Sequence, residues 1–258
     1  MRGVARRVGS GRVERLAADL SDLADVRRLA EDVRARHDAV HLLVNNAGAT
    51  FREHSVTGEG VERHVAVNHL AGFCLTTMLL DRLRAGAPSR VVNVVSATMA
   101  DTRRLPVRRT PRPVRLDPAQ LDDLTRLNPA AGYAQFEAYA RAKLLTVMWG
   151  YRLAEQLGGS GVAVNAVHPG VAATGITADA LPAAMAPLAG ALRRLLLTPE
   201  EGARAVLRVA TDPDLDGVTG RYFLRDEQAR SPEVSYDPGL QRRLWDASAA
   251  LAQGRTVA

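Results

Sequence analysis

Cysteine, lysine and aromatic side chains are all scarce in this sequence. Its one cysteine, Cys74, excludes an internal disulfide and favours a reducing compartment. No apolar stretch approaches the roughly 18 residues of a membrane-spanning helix. The segment from Met1 to Leu20 lacks the apolar core of a secretory signal, so the predicted location is the cytoplasm. Neither Cys74 nor the six histidines have the spacing of metal ligands, and no metal site is predicted.

The positive charge of the chain is carried almost wholly by arginine. There are 34 Lys and Arg against 28 Asp and Glu, which gives a net charge of +6. Six of the arginines share one proline-rich segment: Arg103, Arg104, Arg108, Arg109, Arg112 and Arg115. That segment has no aromatic residue on which a base could stack, so a solvated surface loop is preferred to a nucleic-acid site. Contact with an acidic substrate or a cofactor phosphate stays open.

Lys143 is the only lysine among the 34 Lys and Arg residues. We therefore expect its position to be one that the planar guanidinium of an arginine does not fit. Tyr139 comes four residues earlier, and positions i and i+4 lie on one face of a helix. We therefore expect the ammonium group of Lys143 to lower the pKa of Tyr139. A tyrosine with a lowered pKa can act as a general acid or base near neutral pH.

Strand and helix patterns alternate along the chain, which predicts a doubly wound α/β sheet in a single domain over residues 1–258. The predicted strands are Val13–Leu20, Val40–Asn45, Arg90–Val95, Val162–Val167 and Gly220–Leu224. The predicted helices are one capped by Asp22 and ending near His37, then 60–83, 130–157, 199–211 and 238–253. Residues 97–129 are predicted to form an irregular Arg/Pro-rich insertion, and 171–198 a region on the substrate side.

Small polar residues follow three of the predicted strands where each strand ends. They are Asn46-Ala47-Gly48, Ser96, and Pro169-Gly170 with Thr174. Ligands of doubly wound sheets bind outside the carboxyl ends of the strands, so these residues should border one crevice. We expect Ser96 to hydrogen-bond a substrate carbonyl oxygen while Tyr139 delivers its proton.

Five motifs of the chain occur in the order typical of one enzyme family. They are Asn45-Asn46-Ala47-Gly48, Asn68, Ser96, Tyr139-x-x-x-Lys143 and Pro169-Gly170-x-x-x-Thr174. From about Leu16 onward the sequence resembles the short-chain dehydrogenase/reductases. Val67–Leu70, Pro88–Val92 and Gly220–Phe223 resemble the retinol dehydrogenase-like subgroup. The resemblance implies a Rossmann-like sheet and hydride transfer between NAD(P)(H) and a carbonyl/alcohol substrate, with NADP(H) slightly preferred to NAD(H).

The resemblance also implies a role for each site residue. Tyr139 is the general acid/base, Lys143 lowers its pKa and binds the nicotinamide ribose, Ser96 orients the substrate, and Asn68 anchors a water. Asp19 would contact the adenine. The other implied cofactor-binding residues are Asn45, Ala47 and Gly48, which line the cofactor, and Pro169, Gly170 and Thr174 beside the nicotinamide carboxamide.

The glycine-rich turn with which this family holds a pyrophosphate is not found in the sequence. Asp19 lies close to Met1, where two further βα units would precede it in the family. We therefore expect an N-terminally truncated sheet in which 40–45 is an exposed edge strand. A misassigned start codon is the preferred explanation, ahead of a truncated gene product or a chain with another role.

Other functions remain as alternatives to the oxidoreductase. The first is a non-catalytic family member that binds cofactor poorly and acts by protein association. Nucleic-acid binding through Arg103–Arg115 would require salt-dependent affinity. An epimerase or dehydratase is disfavoured by Asn45–Gly48 and the short C-terminal region. The expected partner is a small molecule, and a homo-oligomer is left open.

Overall fold

A five-stranded sheet organises the fold of this computed structural model, which describes residues 13–100, 114–170 and 198–254. Its strands lie side by side in chain order: β1 (Leu42–Asn45), β2 (Ser89–Val94), β3 (Val162–His168), β4 (Arg221–Leu224) and β5 (Glu227–Ala229). The first four are parallel, whereas β5 runs antiparallel to β4. The predicted α/β sheet is confirmed; β5 is an addition, because Glu-Gln-Ala carries no apolar alternation.

Helices cover both faces of the sheet. They are α1 (Leu23–Arg36), α2 (Arg63–Val65), α3 (Ala71–Met78), α4 (Leu80–Ala85), α5 (Gln135–Gln156), α6 (Pro199–Thr211) and α7 (Pro238–Ala252). A π-helical turn, Ala66–Leu70, joins α2 to α3. The predicted cap of α1 is confirmed, since the Asp22 carboxylate accepts from the Ala24 amide at 2.8 Å. Among the helices described, none is long and apolar enough to cross a membrane.

Alternate residues of β2 supply the two halves of the core, as the pleat of a strand requires. Val92 and Val94 pack on the side covered by α6. Val91 packs on the other side with Trp149 of α5. The face of α3 turned to α1 buries Cys74 beside Leu23 and Val26. The long α5 therefore lies between the sheet and the outer helices, which fixes its side chains firmly.

The predicted strand at Val13–Leu20 is wrong, because these residues form no strand. Leu16, Ala18 and Leu20 do face inward in alternation and border a cavity. A strand, however, needs a hydrogen-bonded neighbour, and none lies beside this segment in the described ranges. β1 ends the sheet there and leaves Leu42 39% exposed, as the expected edge strand would.

The second half of the 97–129 insertion packs against the core. Three short 3₁₀ helices occur in the described part of the insertion: Ala97–Met99, Pro118–Leu121 and Leu124–Arg126. Leu121, Leu124 and Leu127 are fully buried, so this half of the insertion is part of the core, whereas the solvated loop was predicted only for Arg103–Arg115. Apolar burial holds this half in place, and Arg243 of α7 donates two hydrogen bonds to Asp122. The residues Arg103–Arg112 lie outside the described residues.

Candidate active site

Ser96, Tyr139 and Lys143 meet at the carboxyl end of β2. Ser96 caps the 3₁₀ helix Ala97–Met99 and accepts from the Thr98 hydroxyl at 2.9 Å. The Ser96 hydroxyl lies near enough to the Tyr139 phenol to influence its pKa. Lys143 lies one turn along α5, with Nζ 5.8 Å from the centre of the Tyr139 ring. All three side chains are buried, so the predicted trio is brought together away from water.

Burial sets the charge states of this trio. It raises the pKa of Tyr139 to about 12, although the nearby Ser96 hydroxyl acts in the opposite direction. It lowers the pKa of Lys143 to about 8. The expected lowering of the Tyr139 pKa by Lys143 is therefore wrong here. The ammonium is directed to the Val94 carbonyl oxygen, 2.9 Å away, and loss of solvent outweighs its attraction for a phenolate.

Asn68 lies in the π-helical turn and holds the segment that follows β1. Its Nδ2 donates to the Ala49 carbonyl at 2.9 Å, and its Oδ1 accepts from the Ala49 amide at 3.0 Å. The same Nδ2 also lies 3.2 Å from the carbonyl oxygen of His64. Single π-helical turns inside helices are common at functional sites. Here the turn places a buried amide where it satisfies both backbone groups of one loop residue.

Gly48 occupies a position where a larger residue would collide with the site. A Cβ there would lie 2.7 Å from Asn68 Oδ1 and 3.1 Å from Lys143 Nζ. The first distance is shorter than a real Cβ contact, so the backbone approaches these two side chains only because the residue is glycine. The loop after β1 therefore forms one wall of the site.

The other predicted cofactor residues are not all directed at the same point. Asn45 donates to the side chains of Thr76 and Asn93, at 2.9 and 2.8 Å, so its amide braces the sheet. The carboxylate of Asp19 accepts hydrogen bonds from the amide and the hydroxyl of Ser21, which lower the pKa of that carboxyl. Asp19 does not contact the trio. Pro169 and Gly170 do follow β3 directly, and Gly170 has a φ of 98°. Thr174 lies outside the described residues.

A cavity of about 300 Å³ on the side of β1 reaches Lys143, whereas Ser96 and Tyr139 do not line it. Most of its lining is apolar, including Leu16, Leu20 and Val44. The polar lining residues are Asn45, Asn46, Asn68, Lys143 and Thr146. Ala47 borders it as well. An apolar space with a few convergent polar groups is typical of a small-molecule site.

Three buried polar residues and one half-buried tyrosine next to the trio were not predicted from the sequence. They are Glu62, His64, Asn128 and Tyr133, and hydrogen bonds connect them. The signal that could have indicated them is the polar Glu62-Arg63-His64 inside the apolar run from Val61 to Val67. In the described part of the chain, no three His, Cys, Asp or Glu side chains form a potential metal site.

Comparison with known proteins relates these residues to a family. Residues 3–104 match the family described as short chain dehydrogenase. Polyprenol dehydrogenase of Danio rerio is 34% identical over 254 residues, covering 96% of this chain and 73% of that protein. Retinol dehydrogenase 13 of Mus musculus is 36% identical over 249 residues, covering 93% of this chain and 67% of that protein. The chain belongs to the short-chain dehydrogenase/reductase family.

Within this family the chain falls in the retinol dehydrogenase-like subgroup, and it is an NAD(P)-dependent oxidoreductase. The crystal structure of an uncharacterised protein from Mycobacterium paratuberculosis has the same fold. It superposes with a TM-score of 0.68 and 27% identity, covering 100% of this chain and 82% of that one. The Rossmann-like architecture expected from the sequence is confirmed.

The described residues of this short-chain dehydrogenase/reductase match one half of a nicotinamide cofactor better than the other. Lys143 suits a ribose with its nicotinamide because its ammonium offers N–H donors, and the absence of a side chain at Gly48 allows the loop to lie against it. A pyrophosphate is normally held at an uncapped helix N-terminus. The N-terminus of α1 is instead capped by Asp22 and followed by Asp25, which would repel phosphate. The fit is therefore clear for the nicotinamide end.

Proposed function

We propose that this chain transfers a hydride between NAD(P)(H) and a carbonyl/alcohol substrate, with Tyr139 as the proton donor or acceptor. The observation that carries the proposal is the meeting of three buried side chains, with the Ser96 hydroxyl near the Tyr139 phenol and Lys143 one helical turn away. Two adjacent hydroxyl groups can both hydrogen-bond one carbonyl oxygen, which orients it and stabilises negative charge on it.

The proton moves along a short path in this mechanism. When bound, the nicotinamide supplies or accepts the hydride. In the direction of reduction, Ser96 and Tyr139 donate hydrogen bonds to the carbonyl oxygen, and the Tyr139 proton is transferred as that oxygen becomes an alkoxide. The high pKa of about 12 means that Tyr139 keeps its proton until then. The positive charge of Lys143 and the Ser96 hydroxyl then stabilise the phenolate.

Lys143 has a second role in this proposal. With a pKa of about 8 it is mostly protonated at neutral pH, and it donates one hydrogen bond to the Val94 carbonyl. An ammonium has three N–H groups, so two remain to bind ribose hydroxyls. NADP(H) is slightly preferred to NAD(H), because the net charge of +6 favours the more highly phosphorylated cofactor.

The substrate class in the proposal follows the named relatives and the apolar cavity. Because those relatives are a polyprenol and a retinol dehydrogenase, isoprenoid alcohols and the corresponding carbonyls are the first compounds to test. The non-catalytic alternative has less support, since Ser96, Tyr139 and Lys143 are all retained. The cytoplasm is kept as the proposed location, and a homo-oligomer is a further prediction.

The experiment combines binding with turnover. NADPH and NADH are titrated by fluorescence, and carbonyl reduction is followed by the loss of NADPH absorbance. Ser96→Ala should lower kcat/KM by about 100-fold or more, since it removes a donor to the reacting oxygen. Ser160→Ala is the matched control, because that hydroxyl caps the end of α5 far from the trio. Absence of any saturable binding, or a Ser96→Ala variant as active as Ser160→Ala, would overturn the proposal.

A further inference from the structure

Glu62 and His64 form a buried pair at the start of α2. Glu62 Oε1 accepts from the His64 amide at 3.0 Å and lies 2.8 Å from His64 Nδ1. Its other oxygen accepts from Asn128 Nδ2 at 2.9 Å. Burial alone would raise the pKa of Glu62, but these hydrogen bonds outweigh it and the pKa is lowered. The carboxylate is therefore charged, with hydrogen bonds to both oxygens.

The hydrogen bonds of His64 fix the position of its proton. The Phe51 amide donates to His64 Nε2 at 2.9 Å. A backbone amide can only donate, so Nε2 carries no proton. The ring proton must lie on Nδ1, where the Glu62 carboxylate accepts it. His64 is thus held as one neutral tautomer, in the way that carboxylates orient histidines in other sites.

The backbone of the loop after Gly48 is held by three side chains. Asn68 binds both the amide and the carbonyl of Ala49. His64 accepts from the Phe51 amide, and the Tyr133 hydroxyl donates to the Phe51 carbonyl at 2.9 Å. Residues 49 and 51 are bound on alternate positions, as a neighbouring strand would bind them. We call Asn68, His64 and Tyr133 the loop clamp.

The imidazole of His64 also packs against Tyr139. The two ring centres are 6.3 Å apart and the planes meet at 73°, an edge-to-face contact. His64 has no exposed surface, so it cannot move away from either neighbour without opening the core. One ring therefore joins the loop that carries Gly48 to the residue proposed as the proton donor.

We propose that His64, oriented by Glu62, is a positioning residue that sets the distance between the loop wall and Tyr139. It acts through the Phe51 amide and through its contact with the Tyr139 ring, and it does not touch the reacting atoms. The inference rests on the proposed function for its effect on turnover. Displacing a wall of a site by about 1 Å can cost on the order of 100-fold in rate, so the effect should be measurable.

Two substitutions separate positioning from simple packing. The amide oxygen of His64→Gln can still accept from Phe51, whereas His64→Leu fills the space without an acceptor. We expect His64→Leu to lower kcat/KM by about 10- to 100-fold, with KM for NADPH raised, and His64→Gln to recover most of the loss. His41→Gln is the control, because that imidazole contacts the Gly86 carbonyl at the amino end of β1.

Hydrogen exchange at the Phe51 amide tests the clamp without any cofactor. The amide should be protected in the wild-type chain and in His64→Gln, and should exchange at least about 10-fold faster in His64→Leu. The ¹⁵N spectrum of the wild-type chain should show His64 protonated at Nδ1 alone at neutral pH. That spectrum needs no variant, so it tests the inference even if His64→Leu does not fold.

The outcomes distinguish this inference from the proposed function. A wild-type chain that neither binds NADPH nor reduces a carbonyl contradicts the proposed function, while the exchange and ¹⁵N results still decide the clamp. If the wild-type chain is active and His64→Leu matches it in KM, kcat and Phe51 exchange, His64 has no positioning role. A His64 proton on Nε2 would overturn the inference by itself.

Discussion

Two buried polar clusters border the same crevice, and they differ in how fully their groups are hydrogen-bonded. At Glu62, the partner of the loop clamp, hydrogen bonds outweigh burial and lower the pKa of the carboxyl, although burial raises the pKa of Tyr133 in the clamp. At Tyr139 and Lys143 burial prevails, and each pKa moves towards the neutral form of the residue. Satisfied buried groups give rigidity, whereas desolvated ones are poised to change charge. The molecule places the first kind of cluster as a support for the second.

The sharpest test of this contrast removes one hydroxyl from each cluster. Tyr139→Phe should lower kcat by about 10²- to 10⁴-fold, because it deletes the proposed proton donor. Its stability should hardly change. Tyr133→Phe should retain most of kcat but lose about 1–2 kcal/mol of stability, because the Phe51 carbonyl loses its donor. The measurements are steady-state kinetics and denaturant unfolding. Equal kinetic losses in the two variants would remove the distinction between the clusters.

Removal of the charge of Lys143 should increase the stability of the fold but abolish activity. Lys143→Met removes an ammonium whose pKa burial has lowered to about 8, so the fold should gain about 1–3 kcal/mol, which is a few degrees in melting temperature. Turnover should be lost. Loss of the hydrogen bond to the Val94 carbonyl reduces this gain in stability towards the lower figure. A variant that is less stable than the wild-type chain would contradict the view that this charge is strained by burial.

The same lysine predicts a pH dependence of stability. In the unfolded chain its pKa is near 10.5 and in the folded chain about 8, so the unfolded state binds more protons between these values. Stability should therefore rise with pH from about 8 towards about 9, above which the raised pKa of Cys74, and then that of Tyr139, acts in the opposite direction. Denaturant midpoints at about pH 7 and about pH 9 measure the rise, which should be smaller in Lys143→Met.

The smallest expected effect concerns the junction between the clamp and the insertion. Asn128 has a φ of 63° and its side chain bonds Glu62 and Arg141. Asn128→Gly and Asn128→Ala both lose those bonds, but only alanine adds the cost of a Cβ in the left-handed region. Asn128→Ala should be less stable than Asn128→Gly by about 1 kcal/mol in denaturant unfolding. If alanine is tolerated as well as glycine, the backbone is not constrained there.

Local patterns in the sequence predict the helices and strands whose formation depends mainly on residues close together in the chain. The β-branched run at 90–95 and the cap at Asp22 give β2 and α1 nearly to the residue. Val13–Leu20 has the alternation of a strand, but alternation does not reveal whether a neighbouring strand is present. Leu121, Leu124 and Leu127 stand among prolines and charges, and only the tertiary fold buries them.

The candidate site shows the same division. Spacing and the resemblance bring forward Ser96, Tyr139 and Lys143 because their motifs are short and continuous. The direction of the Tyr139 pKa shift depends on desolvation and on the turn of Lys143 to Val94, which spacing does not determine. The loop clamp joins residues 51, 64 and 133, far apart in the chain. No periodicity links such positions.

The buried thiol of Cys74 can report the transient opening of the fold around it. Burial raises the pKa of the thiol to about 11, although Arg27 of α1 acts in the opposite direction. Because it is the only thiol in the chain, a water-soluble disulfide reagent has one target. When the reagent is in excess, the labelling rate becomes the rate at which α1 separates from α3. The same measurement would show whether a ligand slows the separation of α1 from α3, and it needs no engineered cysteine.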